Sequence, residues 1–131
     1  MPKSTGLNHV AMSVPRGTLT DDKRALLAEF YSEHLGWREI DDVALPDRLT
    51  FAVGGRTYVN IRERDDAMVC HGYEHFGLTL SSPDDVESLW SDLDSDGRVD
   101  ELEPMQRGDD GYRVFRFRYL LPMMVEVQHL P

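Results

Sequence analysis

The sequence predicts an α+β fold built from two tandem βαβββ modules, and three observations lead there. The stretch Leu7-Asn8-His9-Val10-Ala11-Met12-Ser13-Val14 returns in altered form as Tyr73-Glu74-His75-Phe76-Gly77-Leu78-Thr79-Leu80. The two histidines stand 66 residues apart, and so do two polar residues set inside apolar runs, Asn60 in Tyr58-Val59-Asn60-Ile61 and Glu126 in Met124-Val125-Glu126-Val127. One offset serving both pairs is the mark of an internal repeat, so His9 is equivalent to His75 and Asn60 to Glu126. Finally, 131 residues are the length of one ordinary domain. The repeat is therefore expected to be two halves of a single domain, 1–131, with modules at about 6–64 and 72–131.

Each element carries its own signal. Residues 7–14 are apolar and β-prone, with Leu7, His9, Ala11 and Ser13 on one face and Val10, Met12 and Val14 on the other. Pro15-Arg16-Gly17 ends this strand. A helix follows: Thr20 caps it, Asp21 and Asp22 suit its first turn, and Leu26, Leu27, Phe30, Tyr31, His34 and Leu35 form an apolar stripe up to the stop at Gly36. Short strands are expected at Trp37–Asp41 and Leu49–Val53, the second turning through Gly54-Gly55 into a strand at Arg56–Glu63. Arg64–Gly72 reads as a linker, and Glu74–Ser81 then restarts the order. Ser82 caps the second helix with Pro83 at its first position, and Val86, Leu89, Trp90 and Leu93 supply its buried stripe. Arg98–Leu102 reads as a weak strand, Gln106–Gly111 as a loop, and Tyr112–Tyr119 and Met123–Leu130 as the closing strands.

Composition excludes several classes of function. A net charge of −10, with acidic pairs such as Asp21-Asp22, Asp41-Asp42, Asp65-Asp66, Asp84-Asp85 and Asp109-Asp110 along the chain, opposes contact with nucleic-acid phosphates and describes a solvated acidic surface. No apolar run approaches the roughly 18 residues that a membrane helix needs. The opening residues Met1–Gly6 lack the apolar core of a signal peptide, and the single Cys70 cannot form an internal disulfide, so the expected compartment is the cytoplasm.

Four pieces in this order, Gly6-Leu7-Asn8-His9, Phe30-Tyr31 with Leu35-Gly36-Trp37, Gly72-Tyr73-Glu74-His75, and Val125-Glu126-Val127, resemble the vicinal oxygen chelate superfamily. That superfamily includes glyoxalase I, extradiol dioxygenases, methylmalonyl-CoA epimerase, fosfomycin-resistance proteins and bleomycin-binding proteins. The resemblance implies two modules whose curled mixed sheets surround a metal-binding cleft, with His9, His75 and Glu126 matching the metal ligands. Two imidazoles and one carboxylate suit a divalent ion, here Fe, Mn, Ni, Zn or Co, that polarises a substrate oxygen. It further implies a small oxygenated substrate and a homodimer, since paired modules from different chains often complete each site in relatives.

Asn60 departs from glyoxalase I, which has a second metal-binding carboxylate there. A neutral amide cannot act as that base, which leaves Asn60 as an occasional ligand or a hydrogen-bond donor and Glu126 as the ligand suited to proton transfer. Tyr58 and Met124, two residues before Asn60 and Glu126, are expected to line the cleft, and Arg62, on the strand face of Asn60, to meet an anionic substrate group. Fosfomycin-resistance proteins carry a threonine where this chain has Ala11, and an arginine beyond the last ligand where it has only Gln128 to Pro131.

The plainer alternatives are core histidines held by backbone carbonyls, and a Glu126 neutralised by Arg62, Arg116 or Arg118 in a metal-free cleft. A solvated strand edge is expected for Arg116 and Arg118, packing for His34, and no thiol–imidazole pair from Cys70 and His71. The function expected is thus that of a metal-dependent glyoxalase-like or dioxygenase-like enzyme, a lyase, isomerase or dioxygenase. The alternatives are a bleomycin-type binding protein without catalysis and a fosfomycin-type transferase.

Overall fold

The computed structural model describes residues 1–41 and 45–131; Asp42, counted above among the surface acids, lies outside them. The chain divides into two compact units, Met1–Met68 and Val69–Pro131. The architecture is mixed α+β, with one helix and one mixed sheet in each unit.

In the first unit β1 (His9–Pro15) leads to α1 (Asp21–Leu35), followed by β2 (Arg38–Glu39), β3 (Arg48–Gly54) and β4 (Thr57–Arg64). Their sheet has the order β1-β4-β3-β2, with β1 parallel to β4 and the other pairs antiparallel. Alternation sorts the side chains as the sequence predicts. Met12, Val14, Leu49, Phe51, Val59 and Ile61 are buried, whereas Ala11, Asn60 and Arg62 keep access to solvent. Helix α1 begins where the Thr20 hydroxyl accepts the Lys23 amide and ends at Gly36, whose φ of 69° is the left-handed conformation that glycine adopts at least cost. Its Tyr31 stacks on Trp37, ring centroids 4.6 Å apart, and both rings reach Phe51. Burial of aromatic groups of this size contributes about 1.5–3 kcal/mol each.

The second unit runs β5 (His75–Thr79), α2 (Pro83–Asp96), β6 (Glu101–Leu102), β7 (Gln106–Arg107), a 3-10 turn at Asp109–Gly111, β8 (Arg113–Arg118) and β9 (Met124–His129). The sheet order is β5-β9-β8-β6, with β7 added against β8. Ser82 caps α2 by accepting the Asp85 amide, and Gly97 closes it in the left-handed conformation. The buried Val86, Leu89 and Leu93 of α2 lie on the helix that packs on β8 and β9.

Several expectations change in detail: β1 starts at His9 and leaves Leu7 exposed, the strand expected at Arg98–Leu102 is only Glu101–Leu102, Leu26 of the α1 stripe is 43% exposed, and Trp90 of the α2 stripe is only half-buried. The strand expected at Trp37–Asp41 shrinks to Arg38–Glu39, because Trp37 turns into the core, 2% exposed, instead of joining the ladder. The loop expected at Gln106–Gly111 holds the two-residue strand β7, which pairs through Gln106 with Val114 and through Arg107 with Arg113.

The 66-residue offset proves to be a register. His9 lies opposite Tyr58 and Ala11 opposite Asn60; His75 lies opposite Met124 and Gly77 opposite Glu126. The hairpins obey it too, with Thr50 opposite Asn60 and Arg116 opposite Glu126. Even the entries match: the Tyr58 amide donates to the Asn8 carbonyl at 3.0 Å and the Met124 amide to the Glu74 carbonyl at 3.1 Å.

Candidate functional site

The parallel pairing of β5 with β9 sets His75 and Glu126 on one side of the second sheet. Phe76, Val125 and Val127 alternate to the other side. His75 Nε2 and Glu126 Oε2 are 3.4 Å apart, with side chains 24% and 22% exposed. His75 Nδ1 lies 2.6 Å from the Tyr73 carbonyl oxygen. A carbonyl oxygen only accepts, so Nδ1 carries a hydrogen and Nε2 is the nitrogen that faces the carboxylate. The Tyr73 ring braces the imidazole edge-on at 5.3 Å.

The same chemistry recurs around His9 by different means. Its Nδ1 lies 2.6 Å from the Asn8 side-chain oxygen, which leaves Nε2 as the free nitrogen, and its ring stacks on Tyr58 at 4.9 Å with the planes only 6° apart. His9 is exposed within this chain. Next to it, Asn60 has its carboxamide oxygen engaged: the buried Thr50, 5% exposed, donates its hydroxyl to Oδ1 at 3.1 Å. The free end of the amide is therefore its NH2 group, a donor.

Neither Arg116 nor Arg118 neutralises Glu126. Arg116 stands directly opposite it across the ladder, yet its Nε donates to Glu103 Oε2 at 2.9 Å and its guanidinium lies 5.5 Å above the Tyr73 ring. Arg118 pairs with Asp100 and Glu101. Arg116 is thus no solvated edge residue: at 22% side-chain exposure it lines a cavity of about 350 Å³ together with His75, Glu126, Tyr73, Glu103 and Tyr112. Glu103 is held in turn, since the Trp90 indole donates to its carbonyl at 3.0 Å. This Arg116–Glu103–Trp90 chain was missed in the sequence. The register that pairs Arg116 with Glu126 was the signal that could have found it.

The remaining candidates fall in separate places. Tyr58 and Asn60 line a second cavity of about 250 Å³ in the first unit, and Arg62 stands on the same face of β4. Met124, only 2% exposed, borders a third cavity of about 500 Å³ with Cys70 and His71. Burial, followed by the nearby Glu74 charge, pushes the Cys70 thiol above its usual range, which opposes a reactive thiolate. His34 packs on Phe30 at 4.7 Å, and His129 Nδ1 donates to the Leu80 carbonyl at 3.0 Å.

His75 and Glu126 are donor types that a divalent ion takes, and they lie close enough to share one. The 3.4 Å between His75 Nε2 and Glu126 Oε2 would let both atoms reach one ion at ordinary ligand distances of about 2.1 Å. Each histidine also has the oxygen partner on Nδ1 that usually accompanies ligation through Nε2.

Fold and site chemistry together define an α+β protein of tandem βαβββ units, each opening on a strand with an anchored histidine. The chain belongs to the glyoxalase/bleomycin resistance protein/dioxygenase superfamily, whose sequence model matches residues 6–119. The match stops before β9, but likeness to solved structures extends over nearly the whole chain. The fosfomycin resistance protein FosX from Listeria monocytogenes superposes with a TM-score of 0.70 at 18% identity, over 98% of this chain and 96% of that one. Lactoylglutathione lyase from Agrobacterium tumefaciens gives 0.71 at 16% identity with the same coverage of both chains. A glyoxalase/bleomycin resistance protein/dioxygenase from Nocardioides gives 0.67 at 15% identity, over 98% and 85%. No curated protein matches the sequence.

Proposed function

We propose that this protein is a divalent-metal-dependent enzyme acting on a small oxygenated molecule, with His9, His75 and Glu126 as the metal ligands. The observation that carries the proposal is the treatment of the imidazoles: both Nδ1 atoms are tied to oxygens, and His75 Nε2 faces the Glu126 carboxylate at 3.4 Å, which neither Arg116 nor Arg118 neutralises. An orienting partner on the far nitrogen raises the basicity of a ligating imidazole and fixes its direction. A divalent ion bound there supplies Lewis acidity toward a substrate oxygen. FosX has been crystallised with Mn(II), in line with a metal of this class, here Fe, Mn, Ni, Zn or Co.

The chain's own residues divide the remaining work. Glu126 is the ligand suited to hold or release a proton, while Asn60, its oxygen occupied by Thr50, donates through its NH2 group to a substrate oxygen. Tyr58 and Arg62 contact the substrate, while the buried Met124 shapes the site through packing. The side-chain constellation supports lyase, isomerase or dioxygenase chemistry on a chelating substrate. The protein works as a cytoplasmic homodimer in which His9 joins His75 and Glu126 either within one chain or from a second copy. Among the described residues no helix is long and apolar enough to cross a membrane.

Metal analysis of protein purified without chelators, followed by reconstitution with Fe, Mn, Ni, Zn and Co, tests this reading. One ion per chain is expected, with His75→Ala and His9→Ala each losing metal and activity. Absence of stoichiometric binding would end the proposal. Unchanged small-molecule affinity in both variants would favour a binding protein without catalysis.

A further inference from the structure

Arg48 and Arg62 face each other directly across β3 and β4. Like charges at this position destabilise an antiparallel pair. The Arg48 Nε is buried and has no hydrogen-bond partner, and among the described residues of their unit no carboxylate pairs with either guanidinium. Acids are not scarce in a chain of net charge −10. The half-buried Arg98, Arg113, Arg116 and Arg118 each have a carboxylate within 4.0 Å. An orphaned buried cationic donor is costly, so its retention needs a reason.

The cavity beside it gives one. Arg48, Thr50, Tyr58 and Asn60 line the space of about 250 Å³ already described, with Arg62 on the adjoining strand face. The Thr50 hydroxyl holds the Asn60 oxygen, so the NH2 group is the end of the amide left without a partner, and the guanidiniums offer only donors. We propose that this cavity of the first unit is an oxyanion site, in which Arg48, Arg62 and the Asn60 amide bind a carboxylate or phosphate-type group of a small molecule. The ligand's negative charge removes the repulsion between the two arginines and compensates the Arg48 guanidinium that lines the cavity. The assignment rests on the reading of Asn60 and Arg62 as substrate contacts and names the substrate class as anionic; it does not depend on a bound metal.

The test titrates the full-length protein, as purified and after chelator treatment, with inorganic phosphate and separately with acetate, read by backbone amide NMR. Saturable shifts are expected at Arg48, Thr50 and Asn60 in both samples, and the tighter of the two probes distinguishes a phosphate site from a carboxylate site. Arg48→Met should weaken binding about tenfold or more, and Arg62→Ala several-fold, as loss of charge-assisted bonds requires. The exposed Arg56→Ala should change nothing. In anion-free buffer Arg48→Met should be at least as stable to urea as the parent, an outcome that a purely structural arginine would reverse. Shifts that map elsewhere, or undiminished phosphate and acetate binding in Arg48→Met, would overturn the proposal; if that variant does not fold, the surface variant Arg62→Ala decides alone. Metal content measured on the same samples separates this result from the metal reading, since either can fail while the other stands.

Discussion

The two units run on one register and differ in what that register presents. In the first, the face of the sheet offers Asn60, Thr50, Arg48 and Arg62; at the equivalent positions the second offers Glu126, Arg116, Val114 and Gln128. One set consists mainly of donors and suits an anion. The other places an imidazole nitrogen 3.4 Å from a carboxylate, a pair of donor types that a cation takes. Even the support for the histidines is redistributed: Tyr58 braces His9 from the partner strand, whereas Tyr73 braces His75 from the segment that leads into β5. Duplication thus preserved the buried face, where Phe51 and Phe117 occupy equal positions, and let the open face diverge. Buried side chains are constrained by close packing on every side, whereas a residue on the open face has fewer packed neighbours to satisfy.

Removing the shared core should have the largest effect. Phe51→Ala and Phe117→Ala are both fully buried truncations and should each cost about 3–5 kcal/mol in urea unfolding, similarly in the two units. A loss confined to one of them would break the equivalence. Making the second unit resemble the first by Glu126→Asn should weaken metal binding by roughly 100-fold or more in a competition titration with a chromophoric chelator, whereas Asn8→Ala, which frees His9 Nδ1, should cost about 10- to 100-fold. Smaller still are the caps: Thr20→Ala and Ser82→Ala should each lower unfolding stability by about 1 kcal/mol.

The smallest expected effect concerns β7, which Arg107 ties to α2 through Glu87. The Arg107 hydrogen bonds hold the Glu87 carboxyl below the usual carboxylate range. A depressed carboxyl contributes stability that is present above its unfolded pKa of about 4.3 and is lost as pH falls through the folded value. Amide exchange at Gln106 and Arg107, corrected for intrinsic rates, should therefore accelerate on acidification in that range. Glu87→Gln should remove the acid dependence.

Most of the fold could be read from the sequence because its signals are local or periodic. The Thr20 and Ser82 caps, the Gly36 stop and the Gly54-Gly55 hairpin need only neighbouring residues, and the repeat aligns β1 with β5 and β4 with β9. Strand β7 escaped because two polar residues, Gln106 and Arg107, carry no alternation. The site was readable as residue types and not as partners. Arg116 looked like an edge residue because its partner Glu103 lies in an irregular segment fixed by Trp90, 13 residues away in sequence. The orientation of the Asn60 amide likewise depends on Thr50, which reaches it only through the hairpin register.

The most direct measurement is long-range proton–nitrogen NMR of the imidazole side chains, before and after addition of one equivalent of Zn(II). His9 and His75 are predicted to carry their hydrogen on Nδ1 in the neutral form, and zinc should then shift Nε2 of both while leaving His129 unchanged. Hydrogen on Nε2 of either histidine, or spectra that zinc does not alter, would contradict the account.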